Sequence, residues 1–320
     1  MLEIQNVSFS FSNQLIIDKL ALDLPSGKHL AVLGESGSGK STLLKLIYGI
    51  YDCQEGQIVF DNQKIKGPKQ QLIPGHPNIK YVPQDFELNW YATVAENIGT
   101  FLSYATPTKR NEIIADLLHR FDLTDVASKR AIDLSGGQKQ RTALAKSLAI
   151  NPKLLLLDEP FSNIDTARRN PIRRALFDYA SENQIAVILA THDPDDALAF
   201  TDFTLILHRG KALQFGSSFQ VYNAPKTPTV AALYSDFTLF RESDSTREII
   251  VYPHEFSVVP QSNIQVVVKN CYQQRSQFLV QAHTNQGEVF FYSQTPFQPN
   301  TILCLEVHPD AQKRWQPEQF

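Results

Sequence analysis

The stretch Gly34-Glu35-Ser36-Gly37-Ser38-Gly39-Lys40-Ser41 fits the spacing G-x-x-x-x-G-K-[ST]. Glycines so placed let successive backbone N–H groups turn inward around a triphosphate. The lysine then reaches the β- and γ-phosphates, and the Ser41 hydroxyl takes a position on Mg²⁺. A Gly/Ser surface turn meets the same pattern by chance, so the flanks decide. His29-Leu30-Ala31-Val32-Leu33 is an apolar run suited to a buried strand, and Thr42-Leu43-Leu44-Lys45-Leu46-Ile47 starts a helix. Strand, loop and helix form the setting a phosphate cradle requires.

Further residues fit the same chemistry. Leu154-Leu155-Leu156-Leu157 is a buried-strand run ending in Asp158-Glu159. Such an ending places one carboxylate beside Mg²⁺ and a second at an attacking water. A lone Asp-Glu pair is otherwise an acidic turn, and the upstream phosphate loop favours the catalytic reading. Ile185-Ala186-Val187-Ile188-Leu189-Ala190 is another buried strand and ends at Thr191-His192-Asp193. His192 is thus expected at the strand ends, where open α/β sheets bind ligands. Gln84, closing Tyr81-Val82-Pro83-Gln84, is either a water- or metal-orienting group or a polar surface residue. Ser135 precedes Gly136-Gly137-Gln138 and a helical recurrence of Ala143, Leu144, Ser147 and Leu148. It is a natural cap on a helix start able to hold an anion.

The elements that position these groups begin with an expected edge strand through Leu2, Ile4, Val7, Phe9 and Phe11. A second strand runs from Leu15 to Leu24, before Pro25-Ser26-Gly27 turns the chain into the strand feeding the cradle. Phe11 is either core or an aromatic folded over an adenine ring. Ile58-Val59-Phe60 reads as a strand and Gly67 to Pro77 as a loop. Ile113, Ile114, Leu117, Leu118 and Phe121 have helical spacing with charges opposite, an amphipathic helix over 109–121.

A chain of 320 residues with 42% hydrophobic residues suits one large and one small globular domain. A net charge of −3 argues against a general nucleic-acid scaffold. Cys53, Cys271 and Cys304 are far apart and lack C-x-x-C spacing. Neither a disulfide framework nor a cysteine metal site is expected, and a reducing cytoplasm fits. No apolar run approaches the ~18 residues of a membrane span.

In order along the chain, these stretches resemble the ATP-binding subunits of ABC transporters over roughly residues 2–235. GESGSGKS is similar to the family's phosphate loop, YVPQ to its glutamine loop and LSGGQ to its signature. LLLLDEP is similar to its second nucleotide motif, SNID to its aspartate loop and THD to its histidine switch. The resemblance implies that Ser41, Asp158 and Gln84 serve Mg²⁺, that Glu159 is the general base, and that His192 holds Glu159 and the γ-phosphate in register. Lys40 joins these catalytic residues, and residues 34–42, ending in Thr42, line the ATP phosphates. Phe11 takes the adenine-stacking place. Asp165 couples two sites. Ser135, Gly136, Gly137 and Gln138 close over the nucleotide of a second copy, so the resemblance implies a homodimer that ATP joins and hydrolysis parts. Departures are Asn163-Ile164 inside the aspartate loop and Lys146 where arginine is usual.

Gln214-Phe215-Gly216, Val221-Tyr222-Asn223-Ala224-Pro225 and Val230-Ala231 resemble a segment of importer ATPases for ferric iron, polyamines, inorganic anions and sugars. Beyond Asp236 five short strands are expected: Glu248–Tyr252, Ile264–Lys269, Gln277–Ala282, Glu288–Tyr292 and Ile302–Val307. The expected fold is an α/β P-loop ABC cassette over 1–235, with a mostly parallel core sheet, an antiparallel β region and a helical arm. A small OB-like β barrel follows over 236–320. The barrel lacks a basic–aromatic stripe, so no nucleic-acid partner is expected. The expected partners are a second copy, transmembrane permease subunits and an upstream substrate-binding protein, with the chain peripheral on the cytoplasmic face of the membrane. In the resembling family, the segment Asp85-Phe86-Glu87-Leu88-Asn89-Trp90 helps line the groove for a permease helix. Trp90 is the candidate anchor there, the alternative being that Phe86 and Trp90 are local core. Alternatives in function are an exporter or lipoprotein-extraction ATPase, and a soluble ABC ATPase acting on ribosomes or DNA.

Overall fold

A computed structural model describes residues 1–85, 87–241 and 248–312. Phe86 lies outside the described residues. Contacts divide the chain into Met1–Ser218 and Phe219–Phe320, ahead of the 235/236 boundary expected from composition.

The N-terminal unit runs β1 (Leu2–Phe11), β2 (Gln14–Leu24), β3 (His29–Leu33), α1 (Lys40–Tyr48), β4 (Glu55–Phe60), β5 (Gln63–Lys64), β6 (Ile79–Val82), α2 (Val94–Ile98) and α3 (Pro107–Arg120). Then come α4 (Gly136–Leu148), β7 (Leu154–Asp158), α5 (Thr166–Glu182), β8 (Ala186–Thr191), α6 (Pro194–Phe200), β9 (Phe203–His208) and β10 (Lys211–Ser217). Six strands form a sheet in the order β10-β9-β3-β8-β7-β6. All its pairs are parallel except β10 with β9. The continuous apolar runs of β3, β7 and β8 are buried along their whole length, as strands covered on both faces must be.

Alternation sends Leu155, Leu157, Val187 and Leu189 into one core with α3, α4 and α5. Leu154, Leu156, Ile188, Leu30 and Val32 go into another with α1 and an antiparallel sheet. That second sheet has the order β2-β1-β4-β5. The expected edge strand β1 is therefore interior, because Leu2, Glu3 and Ile4 pair with Phe60, Val59 and Ile58 of β4 as well as with β2. The register aligns Leu33 with Thr191, Ala190 with Asp158 and Leu157 with Val82. The C-terminal ends of four parallel strands thus share one edge. In the helical arm, the buried Arg141 of α4 donates to the carbonyls of Phe121 (3.0 Å) and Asp122 (2.6 Å). It thereby caps α3 and braces the signature helix.

The C-terminal unit contains α7 (Ser218–Asn223, starting at its border), α8 (Pro228–Ala232), β11 (Thr238–Arg241), β12 (Glu248–Val251), β13 (Phe256–Val259), β14 (Ile264–Gln274), β15 (Gln277–Thr284), β16 (Gly287–Ser293), β17 (Ile302–Val307) and α9 (Pro309–Gln312). Five of these strands form an antiparallel sheet, β13-β17-β14-β15-β16, consistent with an OB-like domain. All five expected strands exist, but β12 pairs with β11 outside this sheet. Pro253 breaks the chain after β12, and the unexpected strand β13 takes the sheet edge beside β17.

Candidate functional site

The cradle connects β3 to α1. A Cβ on Gly34 would collide with the Leu207 carbonyl of β9, so only glycine lets the loop leave the sheet there. Gly39 adopts φ 109°, and a Cβ there would come within 2.9 Å of the Ile16 carbonyl of β2. As N-cap of α1 it brings no side chain, which leaves first-turn amides as donors for an anion. The Ser38 hydroxyl is buried without a partner. Lys40 Nζ donates to the carbonyls of Gly34 (2.7 Å) and Glu35 (2.9 Å), spanning the loop. Burial pulls the Lys40 ammonium below its usual value, and the Glu159 and Asp158 carboxylates oppose that. Free donors, an orphaned hydroxyl and a buried cation fit a polyphosphate.

At the ends of β7 and β8 the acidic groups converge. Asp158 Oδ1 accepts from the Ser41 hydroxyl at 2.9 Å, and Oδ2 accepts from Tyr81 at 3.2 Å. Among the described residues no cluster of three or more His, Cys, Asp or Glu forms a metal cage. A serine hydroxyl with one carboxylate instead matches Mg²⁺, which takes much of its shell from phosphates and water. Glu159 Oε1 lies 3.4 Å from His192 Nδ1. Glu159 also has φ 48°, a left-handed backbone that costs a non-glycine residue energy and is held here by N–H donation to the Ala190 carbonyl at 3.0 Å.

The other expected residues make no hydrogen bond or ion pair with Ser41, Asp158, Glu159 or His192 among the described residues. Gln84 is exposed past β6 with no side-chain hydrogen bond among the described residues. Ser135 caps α4, accepting from the Gln138 amide while the Gln138 side chain accepts from the Ser135 amide. A Cβ on Gly136 would meet nothing within 4 Å. Asp165 is exposed at the start of α5. Phe11, 44% exposed, meets Phe9 and Tyr51 edge-on at 4.9 and 5.3 Å. Trp90, 42% exposed, carries Lys139 Nζ over its ring at 5.2 Å. Its loop is held by the buried Asn97, which donates to the carbonyls of Asn89, Ala92 and Thr93. A groove of about 130 Å³ lies between α1, β6 and α4, lined by Tyr48, Tyr81, Glu87, Phe101 and Lys146, with Trp90 outside it.

Three participants escape a reading of the sequence. Tyr81 is one, and burial beside Asp158 raises its hydroxyl far above the usual value, keeping it a donor. Gln140, buried on α4, donates to the Glu159 carbonyl (3.4 Å) and accepts from the Asn163 amide (3.1 Å). The third is Arg173 of α5, 4% exposed, which meets Asp193 and Asp196 at 2.6 Å each. Asp196 in turn accepts from Thr191 at 2.7 Å. Burial pushes Asp196 up to about 6, against the opposing pull of Thr191 and Arg173. The signal for Arg173 was its place on the apolar stripe Ile172, Leu176, Phe177, where an unpaired cation is not tolerated.

Residues 17–162 match the model of the family described as ABC transporter. The chain is 38% identical over 240 residues to the Fe(3+) ions import ATP-binding protein FbpC of Pseudomonas fluorescens, covering 74% of this chain and 67% of that protein. It is 34% identical over 269 residues to the sulfate/thiosulfate import ATP-binding protein CysA of Gloeobacter violaceus, covering 81% of this chain and 77% of the relative. The chain belongs to the ABC transporter family. Its fold also matches a dimeric post-hydrolysis ATP-binding cassette bound to ADP and Pi, with a TM-score of 0.59 and 26% identity over 68% of this chain and 99% of that one. As an ABC ATPase, the chain is the ATP-binding and ATP-hydrolysing subunit of a transporter. Membership also implies ATP and Mg²⁺ as its ligands. None of the described helices is long and apolar enough to cross a membrane.

Proposed function

We propose that this ABC ATPase powers import through a separate permease, as a homodimer peripheral on the cytoplasmic face of the membrane and served by a substrate-binding protein. The observation that carries the dimer is the signature, whose Ser135 and Gly136 face solvent in the single chain at a capped helix start. A second copy's nucleotide would complete it. Import rests on the relatives, whose names assign them to uptake of Fe(3+) ions and of sulfate or thiosulfate. The reading keeps 1–235 as the ATP-binding domain, because the importer-like segment through Val230-Ala231 belongs to it by sequence. Residues 236–320 form the OB-like domain.

In this mechanism the loop amides and Lys40 grip the β- and γ-phosphates, and Phe11 stacks on the base. Ser41, Asp158 and Gln84 would hold Mg²⁺, which when bound would supply positive charge against the phosphate oxygens. Glu159 takes the proton of the attacking water, and His192, next to Glu159 Oε1, holds the carboxylate and the γ-phosphate in line. The partner's α4 start supplies N–H donors and a positive dipole end where charge accumulates. Asp165 links the paired sites. Closure of the two copies stores the ATP energy, and cleavage releases it to the permease, received at the groove beside Glu87 and at Trp90.

The test is Glu159→Gln in the purified chain. It should bind MgATP, lose on the order of 10²-fold or more in turnover, and accumulate as an ATP-dependent dimer in size-exclusion chromatography. Wild-type turnover with no such dimer would refute the assignment. Neighbouring genes for a permease and a substrate-binding protein would separate uptake from export.

A further inference from the structure

We propose that Tyr81 is a positioning residue for the metal carboxylate, fixing the plane of Asp158 from outside the nucleotide pocket. A carboxylate on one rotatable bond has no preferred plane until both oxygens find donors. Here Ser41 donates to Oδ1 at 2.9 Å and Tyr81 to Oδ2 at 3.2 Å. Strand pairing sets this reach, because Tyr81 of β6 stands opposite Leu156 of β7, two residues before Asp158. The other side of the tyrosine ring lines the groove, 5.7 Å from the Tyr48 ring. Packing against α1 therefore holds the ring, and the ring holds the hydroxyl. When Ser41 turns to the metal, Tyr81 remains the donor that keeps one Asp158 oxygen occupied and the other directed inward.

The proposal rests on the MgATP reading of the site and is tested with Mn²⁺ as the probe. Mn²⁺ binding to the full-length chain with ADP is followed by electron paramagnetic resonance. Removing a hydrogen bond that orients a metal-binding carboxylate typically weakens metal affinity by about 10-fold or more. Tyr81→Phe, which keeps the groove wall, should show that loss while ADP affinity in EDTA and the unfolding midpoint stay at wild type. In an Asp158→Asn background the same substitution should change nothing further, which a general packing role would not produce. Tyr81→Leu, an apolar wall without the hydroxyl, should repeat the result if the phenylalanine variant folds poorly. Unchanged or tighter Mn²⁺ binding in both variants, or an undiminished effect beside Asp158→Asn, overturns the proposal. If the wild-type chain binds no Mn²⁺ with ADP, it is the reading of the site that falls.

Discussion

Replacing Arg173 by Met should destabilise the protein by an amount that depends on pH. Arg173 joins Asp193, a quarter exposed, and Asp196, which is 2% exposed. Water can take over at Asp193 but not at Asp196. A carboxyl held above its unfolded value favours the folded chain in acid and costs it stability as pH climbs through the window between the two values. For Asp196 the window runs from 3.8 to about 6, a cost of about 3 kcal/mol once ionised. Without the guanidinium the Asp196 carboxyl rises further, and a proton kept throughout at about pH 7.5 sets the upper bound on the cost to the folded chain at about 5 kcal/mol against an ionised unfolded chain. The increment is therefore at most about 2 kcal/mol, and the lost charge-assisted hydrogen bonds add about 1–2. At about pH 5 both folded chains hold the proton and only the second contribution remains. Urea unfolding of wild type and Arg173→Met at both pH values measures this directly. A penalty equal at the two values would refute the argument. Asp196→Asn in the Arg173→Met chain should abolish the pH-dependent part.

Two further substitutions address the assembly. Mixing Ser135→Arg with Lys40→Ala chains should restore part of the ATPase activity, because each heterodimer keeps one intact composite site; activity that stays at the level of the separate variants argues against sites shared between copies. Trp90→Ala should cost about 2 kcal/mol or more of permease affinity, read by co-purification and uptake in membranes, while ATPase and melting temperature of the isolated chain hold. A large fall in melting temperature would make Trp90 a packing residue instead.

The sequence made the placement of these groups at the sheet edge legible because a glycine-rich loop, an apolar strand ending in Asp158-Glu159 and one ending at Thr191-His192 are local patterns. Each declares its own strand end, and parallel pairing in register then gathers them. What stayed hidden depends on neighbours far apart in the chain. Tyr81 matters because β6 pairs with β7, Gln140 because α4 passes the Glu159 turn, and Arg173 because α5 crosses beneath Asp193 and Asp196. The same limit made β1 look like an edge, since its second partner, β4, lies beyond the phosphate loop. In the C-terminal unit periodicity found strands but not which of them share a sheet. Burial of one face is satisfied equally by the five-stranded sheet or by the β11–β12 pair.

The strand order also sets when the protein can first hold a nucleotide. β3, which carries the cradle, is flanked by β8 and β9, and the Leu207 carbonyl sits against Gly34. A chain still on the ribosome with only its first half made has the whole consensus stretch but lacks both strands that flank β3. Closing so long a span is slow, and the cradle must wait for it. A nucleotide that binds the folded sheet stabilises the completed chain by mass action.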